Sequence, residues 1–173
     1  ILDAYVKRGQ RILILNPTYG MIYRYIKIYE LKKYQINYNY NFSLNIKKIL
    51  NFLKNKKVNI VYFANPNQPT GTAFNEKDLL EIIKTCEKKK IILVLDEAYI
   101  DFSYINSLAQ STKKNKYLFI LRSFSKSYGI PALRLGYIIS DKKNTEYLSK
   151  VKYLFDASSF STMVATTLIQ KNE

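Results

Sequence analysis

The amino-acid sequence predicts an α/β fold of three layers, in which a mostly parallel sheet is covered by helices on both faces. Five short apolar runs lack strict polar alternation, which is typical of strands that are buried on both faces. Segments with helical spacing lie between several of these runs, and this alternation indicates a layered α/β sheet. The length of 173 residues and the 47% hydrophobic content suit one domain with a single core.

Each apolar run predicts one strand, and the five strands are expected at 11–15, 58–64, 91–95, 117–121 and 135–139. The connection between the last two contains Gly129 and Pro131 and is short for a parallel crossover with a packed helix. We therefore expect the strand at 135–139 to run antiparallel to its neighbours.

Two segments, 43–55 and 75–89, have apolar residues at helical spacing and are predicted to be helices. Asn75 is a suitable N-cap for the second helix, and acidic residues follow it in the first turn. Residues 1–9 have the pattern of the interior of an amphipathic helix, without an N-cap or an initiator methionine. We therefore expect the sequence to be part of a longer polypeptide.

The net charge of +15 raises the alternative of a basic nucleic-acid-binding domain, because clustered lysines that neutralise phosphates drive such binding. The lysines instead form short groups near predicted helix ends and loops, where solvated lysines usually lie. We therefore expect no nucleic-acid partner. Binding to duplex DNA that weakens steeply with salt would favour the alternative.

The single cysteine, Cys86, excludes an internal disulfide and is compatible with a reducing compartment, so a cytoplasmic location is expected. With one cysteine and no histidine, neither a zinc site nor a Cys–His nucleophile pair is expected. The apolar runs are too short to span a bilayer and no signal peptide is evident, so we expect no membrane partner.

Four predicted strands are each followed by a cluster of unusual residues. The clusters are NPTYG after 11–15, NPNQPTG after 58–64, DEAYIDF after 91–95 and RSFSKSYG after 117–121. Because ligands in open α/β sheets bind beyond the carboxyl ends of the strands, parallel strands would bring all four clusters to one rim. A lysine, a carboxylate, hydroxyls and an aromatic ring together suit an aromatic, phosphorylated cofactor that carries an aldehyde.

Residue chemistry suggests a role for each candidate. Lys126 can form a Schiff base with the aldehyde, and partial burial and nearby positive charge would favour its neutral amine. Asp96 can pair with a protonated pyridine nitrogen and keep the ring an electron sink. Tyr99 could reach the phenolic oxygen of the ring, and Tyr19 could stack on its face. The side chains that match a phosphate dianion are those of Ser123, Ser125 and Arg134.

Each candidate also has a structural interpretation. Asp96 and Glu97 are equally suited to beginning a helix, and NPNQPTG is suited to forming a turn. Tyr19 is one of 16 tyrosines, the two serines could be caps, and the arginine could be an ordinary ion-pair partner. Their joint occurrence at the ends of four strands favours a site.

Four motifs together resemble those of a known family. They are PTYGM (17–21), NPNQPTGT (65–72), DEAYIDF (96–102) and SFSKSYGIPALRLGY (123–137). In this order and spacing they resemble the fold-type I, pyridoxal-phosphate-dependent aminotransferases of class I/II, in the histidinol-phosphate aminotransferase-like branch. The resemblance spans essentially the whole chain and implies an aminotransferase-type large domain with pyridoxal 5'-phosphate as its cofactor.

The resemblance also implies residue roles. Lys126 would form the Schiff base, Asp96 would pair with the pyridine nitrogen, and Tyr99 would hydrogen-bond the ring hydroxyl, which makes these three the catalytic residues. The other implied cofactor-binding residues are Tyr19 against the ring, and Ser123, Ser125 and Arg134 on the phosphate. Gln68 stands where the family usually has an asparagine that bonds the ring hydroxyl, so its amide lies one methylene further out.

By the same resemblance, residues 1–173 are the central part of the large domain, with DASSFSTMVA (156–165) leading towards the small domain. The N-terminal arm, the glycine-containing phosphate loop, and the C-terminal small domain with its carboxylate-binding arginine would then be absent. We therefore expect these 173 residues alone to be inactive and the full-length protein to be a homodimer.

The activity implied for the intact protein is transamination. An amino group would pass between an amino acid and a keto or aldehyde acceptor, with a phosphorylated substrate such as histidinol phosphate as one possibility. A decarboxylase acting on a phosphorylated amino acid has the same cofactor residues and stays an alternative. An inactive fragment is a further alternative.

Overall fold

The computed structural model describes residues 1–153 and 156–171, and within them six strands form one sheet. The strands are β1 (Arg11–Asn16), β2 (Lys32–Asn37), β3 (Ile60–Ala64), β4 (Ile92–Asp96), β5 (Leu118–Ser123) and β6 (Gly136–Ser140). The helices are α1 (Leu2–Tyr5), α2 (Met21–Ile28), α3 (Ile46–Asn55), α4 (Glu76–Lys89), α5 (Lys142–Ser149) and α6 (Ser159–Lys171). The strand order in the sheet is β2-β1-β3-β4-β5-β6.

The strands β1 to β5 are parallel, and β6 pairs antiparallel with β5, as the short connection predicts. At the end of this pair, Gly136 lies opposite Ser123. A Cβ atom at Gly136 would lie 2.7 Å from the backbone oxygen of Arg122, so only glycine permits the two strands to approach this closely.

Alternate residues of the central strands face opposite sides of the sheet and join two separate cores. In β1, Ile12 and Ile14 belong to one core, whereas Leu13 and Leu15 belong to the other. Helices α3 and α4 cover the Leu13 side, and α1, α2 and Leu148 of α5 pack on the Ile12 side. The sheet is therefore the middle of three layers, as predicted from the continuous apolar runs.

Of the segments with a helical pattern, 43–55 and 75–89 contain α3 and α4, which begin at asparagine caps, whereas 1–9 is helical only over Leu2–Tyr5. The side chain of Asn75 accepts a hydrogen bond from the backbone N–H of Asp78 at 2.9 Å, and Asn45 caps α3 in the same way. Helix α4 ends where Lys90 adopts the left-handed conformation, with φ of 56°. Caps and apolar spacing together account for both helices.

The sequence analysis did not predict β2, α2, α5 or α6. Strand β2 is at the edge of the sheet and has only one buried residue, Ile36, so its sequence lacks an apolar run. Its strand conformation depends on parallel pairing with β1. None of the helices in the described parts of the chain is long and apolar enough to cross a membrane.

Candidate functional site

A cleft of about 410 Å³ lies at the carboxyl ends of β3, β4 and β5. Its volume is within the range of about 300–1,000 Å³ that is typical of small-molecule sites. All eight candidates from the sequence line it: Tyr19, Gln68, Asp96, Tyr99, Ser123, Ser125, Lys126 and Arg134. The parallel strands therefore bring residues from four chain segments together at one rim, as expected.

Asp96, the last residue of β4, lies in the middle of the cleft. Its neighbours in the sheet are Ala64 of β3 and Leu121 of β5. One carboxylate oxygen accepts the backbone N–H of Ala98 at 3.1 Å, and the other accepts the hydroxyl of Tyr62 at 2.7 Å. Within the described residues Asp96 forms no salt bridge, so the carboxylate is oriented but has no cationic partner.

Tyr62 is a site residue that the sequence analysis missed. It is buried in β3, and burial, followed by the charge of Asp96 and their hydrogen bond, strongly raises the pKa of its phenol. Tyr62 therefore stays a neutral donor to Asp96. A tyrosine inside an apolar run was the only signal in the sequence, and its partner depends on the pairing of β3 with β4.

Lys126 lies in the loop after β5, with its Nζ atom 5.1 Å from the centroid of the Tyr99 ring. The Tyr99 hydroxyl donates a long hydrogen bond of 3.4 Å to Oε1 of Gln68, so the glutamine amide does reach the cleft. The Lys126 side chain is exposed, so the partial burial that would favour its neutral amine is not observed.

Two hydroxyls and a guanidinium line the side of the cleft next to β6. The Ser123 hydroxyl accepts the backbone N–H of Ser125 at 3.0 Å. Arg134 follows a 3-10 helix at Pro131–Leu133, adopts φ of 51°, and donates from Nη1 to the Pro131 carbonyl at 3.0 Å. This turn brings Arg134 back to the cleft, where the three side chains suit a dianion.

Tyr19 is 41% exposed and lies between the cleft and an adjoining apolar cavity of about 330 Å³ that α1 and α2 border. The turn that carries it is anchored by Asn67, which is buried. Asn67 donates from Nδ2 to the Pro17 carbonyl at 3.1 Å and accepts the Thr18 hydroxyl at 2.8 Å. The NPNQPTG segment thus forms a turn that holds two strand ends together, as its structural interpretation proposes, and also supplies Gln68 to the cleft.

The chemistry of the cleft fits an aromatic, phosphorylated aldehyde. It combines a primary amine, a carboxylate that forms no salt bridge among the described residues, two hydroxyls with a guanidinium, and the aromatic rings of Tyr19 and Tyr99. The structural interpretation of Asp96 and Glu97 as the beginning of an α-helix is not observed, since a 3-10 helix at Ile100–Phe102 follows them. In the described part of the chain no cluster of three potential metal ligands is present.

Comparisons with known proteins identify the family of this chain. The family model described as aminotransferase class I and II matches residues 1–173. A histidinol-phosphate aminotransferase from Caldanaerobacter subterraneus is 32% identical over 170 residues, which are 98% of this chain and 47% of that protein. The chain therefore spans about half the length of this curated relative.

Two solved structures have the same fold. The histidinol-phosphate aminotransferase from Clostridium acetobutylicum superposes with a TM-score of 0.83 at 26% identity, over 91% of this chain and 47% of that one. The enzyme of the same name from Sinorhizobium meliloti, solved in complex with pyridoxal 5'-phosphate, has a TM-score of 0.84 at 20% identity, over 92% and 44%.

Proposed function

Because this chain belongs to the aminotransferase class I and II family, we propose that the full-length protein is an aminotransferase that uses pyridoxal 5'-phosphate. One observation supports this most strongly: all eight residues selected from the sequence line one cleft at the carboxyl edge of the sheet. Parallel strands bring their carboxyl ends to one edge, and the cleft at this edge contains the complete set of side chains that the cofactor would need.

In this proposal Lys126 and Asp96 perform the central steps. Bound pyridoxal 5'-phosphate supplies an aldehyde that condenses with amines and a ring that accepts electron density. The Nζ of Lys126 would bind the cofactor aldehyde covalently, with loss of water. Once an amino substrate had displaced it, the same Nζ would take the proton from the substrate carbon and deliver it to the cofactor carbon, as transamination requires. The Asp96 carboxylate would hold a proton on the pyridine nitrogen, and this role is supported because Asp96 forms no salt bridge among the described residues.

The remaining residues bind and orient. Tyr99 and Gln68 lie beside each other and would bond the ring hydroxyl, and Tyr19 would cover the ring face. The phosphate would be bound by Ser123, Ser125 and Arg134, since hydroxyls and a guanidinium are strong donors to a dianion.

The substrate in this proposal is a phosphorylated amine such as histidinol phosphate, with an amino acid as the other partner of the exchange. It is supported by the relatives, because the proteins named above are histidinol-phosphate aminotransferases. A decarboxylase of a phosphorylated amino acid would need the same cofactor residues, so the substrate experiment below includes it as an outcome.

We also propose that residues 1–173 are the central part of a large domain. The match to about half of each relative supports this. A homodimer of the full-length protein is supported by the exposed aromatic side chains of Tyr40, Phe42, Phe102 and Tyr104. A cytoplasmic location is supported by Cys86, which is buried and free.

The covalent link provides the test of the proposed function. Full-length protein is mixed with pyridoxal 5'-phosphate, reduced with borohydride and digested, and the modified peptide is identified by mass spectrometry. We expect the modification on Lys126. In Lys126→Ala both the modified peptide and the imine absorbance should be absent. Lys116→Ala removes an exposed lysine that does not line the cleft and is the matched control. Modification that persists in Lys126→Ala would overturn the proposal.

A second measurement distinguishes the two reactions. With histidinol phosphate as the amino donor, transamination converts the cofactor to its amine form, and the imine absorbance decreases without release of carbon dioxide. Release of carbon dioxide from a phosphorylated amino acid, with the imine absorbance regained after each turnover, would instead identify a decarboxylase.

A further inference from the structure

The motif after β4 contains two carboxylates besides Asp96, those of Glu97 and Asp101. The Glu97 side chain is only 1% exposed, although it is charged. It accepts the Ser107 hydroxyl at 2.7 Å and Nε of Arg122 at 2.9 Å. A carboxylate this deeply buried is retained only with such partners, so Glu97 anchors Arg122 firmly.

Arg122 has a second carboxylate partner. It is the penultimate residue of β5, its side chain is 16% exposed, and its Nη1 donates to Oδ1 of Asp101 at 3.2 Å. The guanidinium thus joins a buried carboxylate to one that is 47% exposed at the rim. The guanidinium is planar and is held by Glu97 at the end of β5. Its Nη1 therefore restricts where the Asp101 carboxylate can lie.

The other oxygen of Asp101 reaches the loop that carries Lys126. Its Oδ2 accepts the hydroxyl of Ser127 at 2.5 Å, and Ser127 directly follows Lys126. One carboxylate therefore bridges Arg122 before the loop 123–126 and Ser127 after it. The contact chain Glu97–Arg122–Asp101–Ser127 thus joins the segment after β4, which begins at Asp96, to the loop after β5, which contains Lys126.

We propose that Asp101 is a positioning residue that holds the Lys126 loop against the cleft. The inference rests on the proposed function, in which Lys126 bonds covalently to the cofactor. Lys126 is exposed and has a long flexible side chain, so its reaction rate depends on how closely its backbone is held. Losing the bridge would lower the fraction of time that Nζ is within bonding distance of an aldehyde.

The exposure of Asp101 separates this role from a contribution to overall stability. An ion pair with a half-exposed carboxylate contributes little to the free energy of folding. If Asp101 positions Lys126, its replacement will slow attachment of the cofactor while the melting temperature hardly changes.

The test uses full-length protein freed of cofactor and then mixed with pyridoxal 5'-phosphate, and it follows the rate at which the imine absorbance develops. For Asp101→Asn we expect this rate to fall by roughly tenfold, with a melting temperature within about 3 °C of the wild-type value. Asp101→Glu keeps the carboxylate and should recover most of the rate. Asp78→Asn, at a partly exposed aspartate on α4 that is remote from the cleft, is the matched control and should match wild type.

The partner of Asp101 gives an independent measurement. If the Ser127 contact transmits the effect, Ser127→Ala should also slow attachment, and Asp101→Asn with Ser127→Ala should be no slower than Asp101→Asn alone. An unchanged rate in Asp101→Asn would overturn the inference, as would a slower rate explained by a smaller folded fraction. A wild-type protein without the Lys126 imine would overturn the proposed function instead.

Discussion

Nε of Arg122 donates to Oε2 of Glu97 at 2.9 Å, and this pair joins the end of β5 to the residue that follows β4. Both side chains are largely withdrawn from water, at 16% and 1% exposure. Removing such charges from water costs free energy, which their mutual attraction and hydrogen bonds offset. The pair is consequently much more sensitive to the loss of one partner than a surface pair would be.

Replacing Arg122 with Met should lower the free energy of unfolding by about 3–5 kcal/mol, because it leaves the Glu97 carboxylate buried without its cation. Urea denaturation of full-length protein measures this. Arg8→Met breaks the exposed Arg8–Glu30 pair, whose side chains are 77% and 58% exposed, and should change the free energy by less than about 1 kcal/mol. Similar losses in the two variants would contradict the assignment of Arg122 to a buried pair.

Replacing Tyr62 with Phe removes one hydrogen bond to Asp96 and keeps the aromatic ring. Because the carboxylate would then be less firmly oriented, we expect the dissociation constant of pyridoxal 5'-phosphate to rise roughly 3- to 10-fold. Fluorescence titration measures the dissociation constant. Tyr23→Phe removes a comparable hydrogen bond of 2.8 Å to Asn16 and should leave it unchanged. Equal effects of both variants would show that Tyr62 has no specific role at Asp96.

The packing of α4 on the sheet predicts a large loss for Ile82→Ala. Ile82 is completely buried, so its truncation leaves a cavity and should cost about 2–5 kcal/mol in the free energy of unfolding. Ile28 is 65% exposed, and Ile28→Ala should change the free energy by no more than about 0.5 kcal/mol. Chemical denaturation of the two variants checks this. A small loss of unfolding free energy in Ile82→Ala would mean that α4 does not pack as described.

Cys86 predicts a change of stability with pH. Burial raises the pKa of its thiol from 9.0 to about 12 in the folded protein. Above pH 9 the thiol ionises in the unfolded chain but keeps its proton in the folded protein, so unfolding releases a proton. The free energy of unfolding therefore decreases as pH rises.

The measurement compares wild type with Cys86→Ala, which lacks this titration. The stability advantage of wild type should shrink by about 1.4 kcal/mol between about pH 8 and about pH 10. A difference in unfolding free energy that stays constant over this interval would contradict the raised pKa.

Much of the fold was predictable because it follows from local sequence patterns, namely apolar runs and helical spacing. The five apolar runs correspond to β1, β3, β4, β5 and β6, and the two periodic segments correspond to α3 and α4. Strand β2 was missed because it has one buried residue and forms only through its pairing with β1. The exposure of Lys126 was also unpredictable, since it depends on how the loop after β5 lies over the cleft.

The sequence by itself determined the α/β alternation, the antiparallel last strand, and the four residue clusters that end the strands. Apolar spacing and chain order decide these, and both are local. Only the tertiary structure decided that Tyr62 contacts Asp96 and that Asp101 bridges Arg122 to Ser127. Those contacts join residues from different strands and loops, so they follow from strand register and side-chain direction, which the order of residues alone does not specify.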